Sequence, residues 1–127
     1  MGIVRFPGTL NQGVFASKIS AQADVFGPVH DAIKVWWTQA EGLNPLSLMH
    51  RRFGRETDRD GEAFRHQWSF IESHLIDSES GGWFSPTDRE GNLEGDGRKA
   101  SQWKANYHTA RGMMNVVRML REEGASD

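Results

Sequence analysis

No cysteine occurs among the 127 residues, which removes disulfides and thiolate catalysis and leaves any metal to histidine and carboxylate ligands. Excess charge is equally scarce. Fifteen basic against 17 acidic residues leave a formal net charge of -2, too little attraction to hold a phosphate backbone, so nucleic acid is not an expected partner. No apolar run approaches the roughly 18 residues needed to cross a bilayer, and the first residues lack a basic segment followed by an apolar one. No membrane role is expected, and cytoplasm is the expected address. Also missing are a phosphate-binding glycine loop, a dinucleotide fingerprint and a GxSxG elbow, which takes away the usual anchors of nucleotide and acyl-transfer chemistry. His30 with Asp31, His50, His66 and His74 show no HExxH or comparable spacing, so no metal site is predicted.

What is present is helical patterning of one domain. Residues 1–30 scatter Gly2, Pro7, Gly8, Gly13, Gly27 and Pro28 among isolated apolar residues and read as an irregular segment. From about Asp31 the series Ile33, Trp36 or Trp37, Ala40, Leu43 and Leu48 predicts a helix ending at Phe53 and Gly54. Pro45 lies inside it, and the missing amide hydrogen predicts a kink or break near Asn44. A second helix is expected to start near Thr57 or Asp58, with either side chain accepting free amides of the first turn. Phe64, Trp68, Ile71 and Leu75 would face the core, and Glu62, Arg65 and Glu72 would face water. Glycines, Pro86 and the Glu90–Gly91 step then interrupt every period over residues 78–97, predicting a hairpin or loop excursion that carries Trp83 and Phe84 over one end of the helices. A last helix is predicted over residues 101–122, with Trp103, Tyr107, Ala110, Met114, Val117 and Leu120 as its apolar side; residues 123–127 form a tail.

Two clusters carry candidate chemistry. On the last predicted helix Lys104, His108 and Arg111 follow at four and three positions and would share a face. That arrangement sets an imidazole between two cations, which disfavours its protonation and makes His108 the first candidate for proton transfer. In WWTQAE, residues 36–41, tryptophan faces suit stacking on a pyranose while Gln39 and Glu41 offer acceptors to its hydroxyls. Adjacent tryptophans cannot both face one core. If Trp36 packs inward, Trp37 is turned by about 100 degrees toward Glu41. Such residues also suit a noncatalytic carbohydrate-binding or protein-interaction module.

Four ordered strings, KVWWTQAEGLNPLSLMHRRFG, WSFIESHLID, GGWFSPTDREG and KASQWKANYHTARGMMNVV, resemble the N-acylglucosamine 2-epimerase superfamily, whose members include cellobiose 2-epimerases and mannose isomerases. The resemblance runs over about residues 33–120. It implies an all-α fold, the last third of an (α/α)6 barrel, and a sugar held at one end of that toroid. Residues 31–122 would form that portion. By the same resemblance His108 matches one of two acid/base histidines and Trp103 a tryptophan that stacks on sugar. Trp37, Glu41 and Trp83 look like further pocket residues, and Arg111 resembles a supporting charge. The implied reaction is epimerisation at C2, or aldose–ketose isomerisation, of a reducing sugar or N-acyl amino sugar through a cis-enediolate, with no redox cofactor. The helices that would carry the opposing histidine have no counterpart here, and His30, in GPVHDAIK, does not match a GHxxE-like block. Pro45 is a further departure, standing where a helix former is expected. Three helices with unpartnered apolar faces also predict self-association.

Overall fold

The structure, a computed structural model, describes residues 22, 23 and 29–125. Most of the irregular segment expected over residues 1–30 lies outside the described residues. Within it, β1 (Gln22–Ala23) pairs antiparallel with β2 (Val29–Asp31), with Gln22 opposite Asp31. Among the described residues three helices form the body: α1 (Trp36–Phe53), α2 (Arg59–Phe70), extended by a π-helical turn at Ile71–Leu75, and α3 (Tyr107–Gly124). Among the described residues no helix is long and apolar enough to cross a membrane.

Helix α1 starts five residues later than its periodicity predicts. Before it, Lys34 is held extended by a two-way backbone exchange with Thr87, at 2.7 and 3.1 Å, so tertiary pairing pre-empts the first helical turn. The break predicted near Asn44 does not occur, and α1 is continuous through Pro45. Pro45 is exposed, and it lies inside the helix without ending it. Asp58 occupies the N-cap position of α2, but its side chain does not cap the helix. Its carboxylate is taken instead by Arg65, at 2.5 Å, and faces His50 at 3.3 Å. The neighbouring Thr57 hydroxyl accepts the Arg59 amide at 3.4 Å, a long bond.

The order of the helices follows from their side-chain pairs. His50 meets Asp58 at the α1–α2 turn and Gln67 donates to Gln39 at 2.5 Å, so these two helices run antiparallel. Glu41 meets His108 near the starts of α1 and α3, and Arg51 meets Glu122 near their ends, so those two run parallel. Gly112 permits their close approach: a Cβ there would stand 3.0 Å from the Ala40 carbonyl oxygen. Leu43, Phe70, Ile71, Leu75, Val116 and Met119 make the core, with Phe64, Trp68, Ile76, Trp83 and Met113 packed around it. The predicted α2 stripe is therefore the packed one, while Glu62, Arg65 and Glu72 are exposed.

The structure corrects α3 in two respects. It begins at Tyr107 because residues 101–104 form a turn in which the Ser101 hydroxyl accepts the amides of Trp103 and Lys104, at 3.2 and 3.0 Å, an alternative to helix that serine side chains commonly offer. Its packed face is Gly112, Met113, Val116 and Met119, whereas Tyr107, Met114, Val117 and Leu120 are exposed. Apolar residues lie on both sides of this helix, so periodicity admits two answers, and the close approach at Gly112 selects one. The connection over residues 76–106 returns Trp83 against Ile76 and the Phe84 amide to the Leu75 carbonyl, at 2.7 Å, as the expected excursion over the helix end. Asp77 anchors it, accepting from the Glu79 and Ser80 amides and from Lys99.

Candidate active site

The parallel packing of α1 and α3 brings their amino-terminal ends together, and there Trp37, Glu41, His108 and Arg111 meet. His108 Nδ1 lies 3.0 Å from Glu41 Oε1. Arg111, one turn further along α3, donates to the same oxygen from Nε at 3.1 Å and also from Nη2. Asn44 Nδ2 reaches the other carboxylate oxygen at 3.4 Å, and Arg111 Nη1 donates to the Tyr107 hydroxyl at 2.6 Å. Rings flank the imidazole. The Trp37 centroid is 5.4 Å away with its plane tilted by 37°, and Tyr107 stands edge-on at 5.1 Å.

Electrostatically the cluster differs from the arrangement expected of the sequence. Lys104 is not beside His108, because it precedes α3 and its Nζ is bonded to the Trp83 and Arg98 carbonyls. The imidazole thus faces one carboxylate and one guanidinium, not two cations. Partial burial pushes the Glu41 carboxyl up, but hydrogen bonds from His108 and Arg111, reinforced by their charges, leave it below its ordinary value. The bond to Glu41 raises Arg111 in turn. An ionised Glu41 accepts a proton-bearing Nδ1, and in the neutral imidazole that leaves Nε2 with its lone pair free. Neither α1 nor α3 has an acidic residue in its first turn, so the positive ends of two long helix dipoles lie at this end of the bundle beside the Glu41 carboxylate.

Of the residues singled out from sequence, Trp37, Glu41, His108 and Arg111 come together, while Trp36 lines an open cleft and does not pack into the core. Gln39 does not join them: it is fully buried and bonded to Gln67 in the α1–α2 interface. Trp83 packs its ring against the core and contributes its carbonyl to Lys104. Trp103, 82% exposed, lines an open cleft of about 860 Å³ together with Trp36, Pro86, Asp96, Arg98 and Lys104. The Trp36 indole N–H is buried and finds no protein acceptor. Asn44 and the structural part played by Lys104 escape sequence reasoning; the Glu41–Asn44 spacing of one helical turn is the signal for the first. Among the described residues no three His, Asp or Glu side chains are grouped as a metal site would need.

The chain is similar to known proteins in both sequence and fold. The chain is 33% identical over 106 residues to a cellobiose 2-epimerase of Bacteroides fragilis, covering 81% of this chain and 24% of that one. It is 31% identical over 94 residues to a D-mannose isomerase of Marinomonas mediterranea, covering 74% of this chain and 23% of the relative. In structure it is similar to the cellobiose 2-epimerase of Spirochaeta thermophila, with a TM-score of 0.69 and 29% identity over 87% of this chain and 28% of the other. A D-mannose isomerase structure shares the fold with the same TM-score at 24% identity. The chain thus spans about a quarter of the length of these relatives, and its helices are part of an (α/α)6 barrel. The family model for N-acylglucosamine 2-epimerase (GlcNAc 2-epimerase) matches residues 8–111, more than half of the sequence, and the chain belongs to that family.

Proposed function

We propose that these residues form one wall of a sugar 2-epimerase or aldose–ketose isomerase site, in which His108 transfers the proton at C2 of an open-chain reducing sugar. The observation that carries the reading is the Glu41–His108 pair beside the Trp37 ring. Glu41 orients the imidazole, and Nε2 becomes the working base. Ring opening gives an aldehyde that acidifies the C2 hydrogen. Nε2 takes that proton, the electron pair moves toward the carbonyl oxygen, and a cis-enediolate results. The Arg111 charge and the two helix starts supply positive potential where the enediolate oxygens become negative. A second acid/base group, on the opposite wall of a complete barrel, returns a proton to the other face of C2; return to C1 instead, with a proton shift between oxygens, gives a ketose. Trp37 and Trp103 offer rings for the apolar face of a sugar, either a reducing hexose or an N-acyl amino sugar.

The matched region is a quarter of each relative, so the reading assigns this chain half of the chemistry. Deuterium uptake at C2 of mannose, N-acetylmannosamine and cellobiose, followed by NMR in heavy water, tests it. Uptake is expected from an amino-terminally extended chain that completes the barrel and not from these 127 residues alone. Binding without uptake in both would favour a noncatalytic carbohydrate module. The apolar row Met114, Val117 and Leu120, exposed by 44 to 72%, supports a second part of the proposal: the isolated chain self-associates through α3.

A further inference from the structure

Trp103 is so exposed that nothing packed around its ring fixes where it stands over the cleft. Its neighbour supplies the anchor. Lys104 is only 7% exposed, although lysine is rarely buried without partners. Its Nζ donates to the Trp83 carbonyl at 2.5 Å and to the Arg98 carbonyl at 2.7 Å, and stands 5.4 Å from the centroid of the Trp36 ring. Two loop segments and the first turn of α1, far apart in sequence, meet at one ammonium group. An ammonium has three donors and no acceptor, which matches two carbonyls and the negative face of an indole. The Ser101 hydroxyl accepts the amides of both Trp103 and Lys104, so the exposed ring and the buried amine belong to one rigid turn.

We propose that Lys104 is a positioning residue: it ties the loop at Trp83 and Arg98 to Trp36, and so holds Trp103 and sets the width of the Trp36–Trp103 cleft. Its consequence for sugar binding rests on the reading of that cleft given above; the clamp itself does not. Burial, together with the Lys99 charge, lowers the Lys104 amine to about 8. On the loop side the charged groups nearby are Lys99, held by Asp77, and Arg98, held by Asp96; α1 presents the uncharged Trp36 ring. Lys34, likewise lowered to about 8 by burial and Arg89, lies two residues before Trp36 and serves as the control.

NMR on the full 127-residue chain, with labelled lysine Cε and tryptophan indole nitrogens, tests the clamp in the wild type, Lys104→Met and Lys34→Met. The Lys104 Cε signal is expected to titrate near pH 8, and the Trp36 indole is expected to follow it in the wild type and in Lys34→Met but not in Lys104→Met. In Lys104→Met the Trp103 indole should move to the position and line width of a free loop, while the His108 and Trp37 signals stay in place. With cellobiose as the probe, the same change should weaken binding about three- to tenfold, the range of one lost stacking contact. Unmoved Trp36 and Trp103 indoles in a folded Lys104→Met protein overturn the proposal. Should that variant fail to fold, the wild type and Lys34→Met decide: a Trp36 indole that follows the Lys104 Cε signal in both supports the clamp, and one that follows it in neither overturns it. If the indoles move but cellobiose perturbs neither protein, the clamp stands and the sugar reading of the cleft falls.

Discussion

Replacing Glu41 by glutamine keeps the shape of the side chain and removes the charge on which the cluster converges. In the wild type one carboxylate oxygen faces His108 and two nitrogens of Arg111, and the Glu41 side chain is 23% exposed against 47% for Arg111. Charge-assisted bonds of this kind contribute about 1.5–3 kcal/mol when well shielded and exposed pairs about 0.2–1, so the half-open setting places the loss at about 1–2 kcal/mol. The pH dependence fixes the cause. The folded Glu41 carboxyl titrates below its ordinary 4.5, so its contribution is complete above that value and disappears as pH falls through the lowered one. Asp77 and Asp88 are lowered too, but they titrate in both proteins and cancel in the difference. Urea unfolding of wild type and Glu41→Gln should therefore differ by that amount at pH 7 and converge as the pH falls through the lowered Glu41 value. Nitrogen NMR of His108 supplies the second readout, with the proton on Nδ1 in the wild type and a mixture of tautomers in the variant. A stability difference that persists unchanged into acid, or an unaltered tautomer, would refute the argument.

Gly112→Ala places a methyl 3.0 Å from the Ala40 carbonyl oxygen, backbone of the facing helix, and should cost about 1–3 kcal/mol in thermal or urea unfolding while weakening the His108–Glu41 contact seen by NMR. Helix propensity alone would give the opposite sign, a gain of roughly 1 kcal/mol for replacing glycine by alanine, so the direction of the change discriminates. Self-association through α3 predicts that Leu120→Lys shifts sedimentation of the isolated chain toward monomer; a wild type that is monomeric at every concentration would count against it.

Much of this arrangement can be read from residue order because it rests on strong local signals. The spacing of Phe64, Trp68, Ile71 and Leu75 admits one buried face, and the four-residue step from Trp37 to Glu41 places both on one side of α1 whatever the rest of the chain does. The failures come where a distant segment decides. Lys34 pairs with Thr87 and delays α1, and Lys104 is drawn to carbonyls 6 and 21 residues away and leaves the helical run to which its spacing assigns it. Trp103 goes with it, into the cleft beside Trp36. Helix α3, apolar on two sides, presents the stripe that periodicity favours to solvent and buries the one marked by Gly112. In a chain covering a quarter of its relatives, pattern alone does not distinguish the face packed on α1 from the face left open.

The central claim is that the imidazole held by Glu41 moves the proton at C2. The rate of deuterium uptake at C2 of mannose by the amino-terminally extended protein, compared between wild type and His108→Asn, tests it most directly. Loss of a positioned acid/base group predicts a fall of about 10²–10⁴-fold with the fold intact by circular dichroism. Uptake within a few-fold of the wild-type rate would contradict the account.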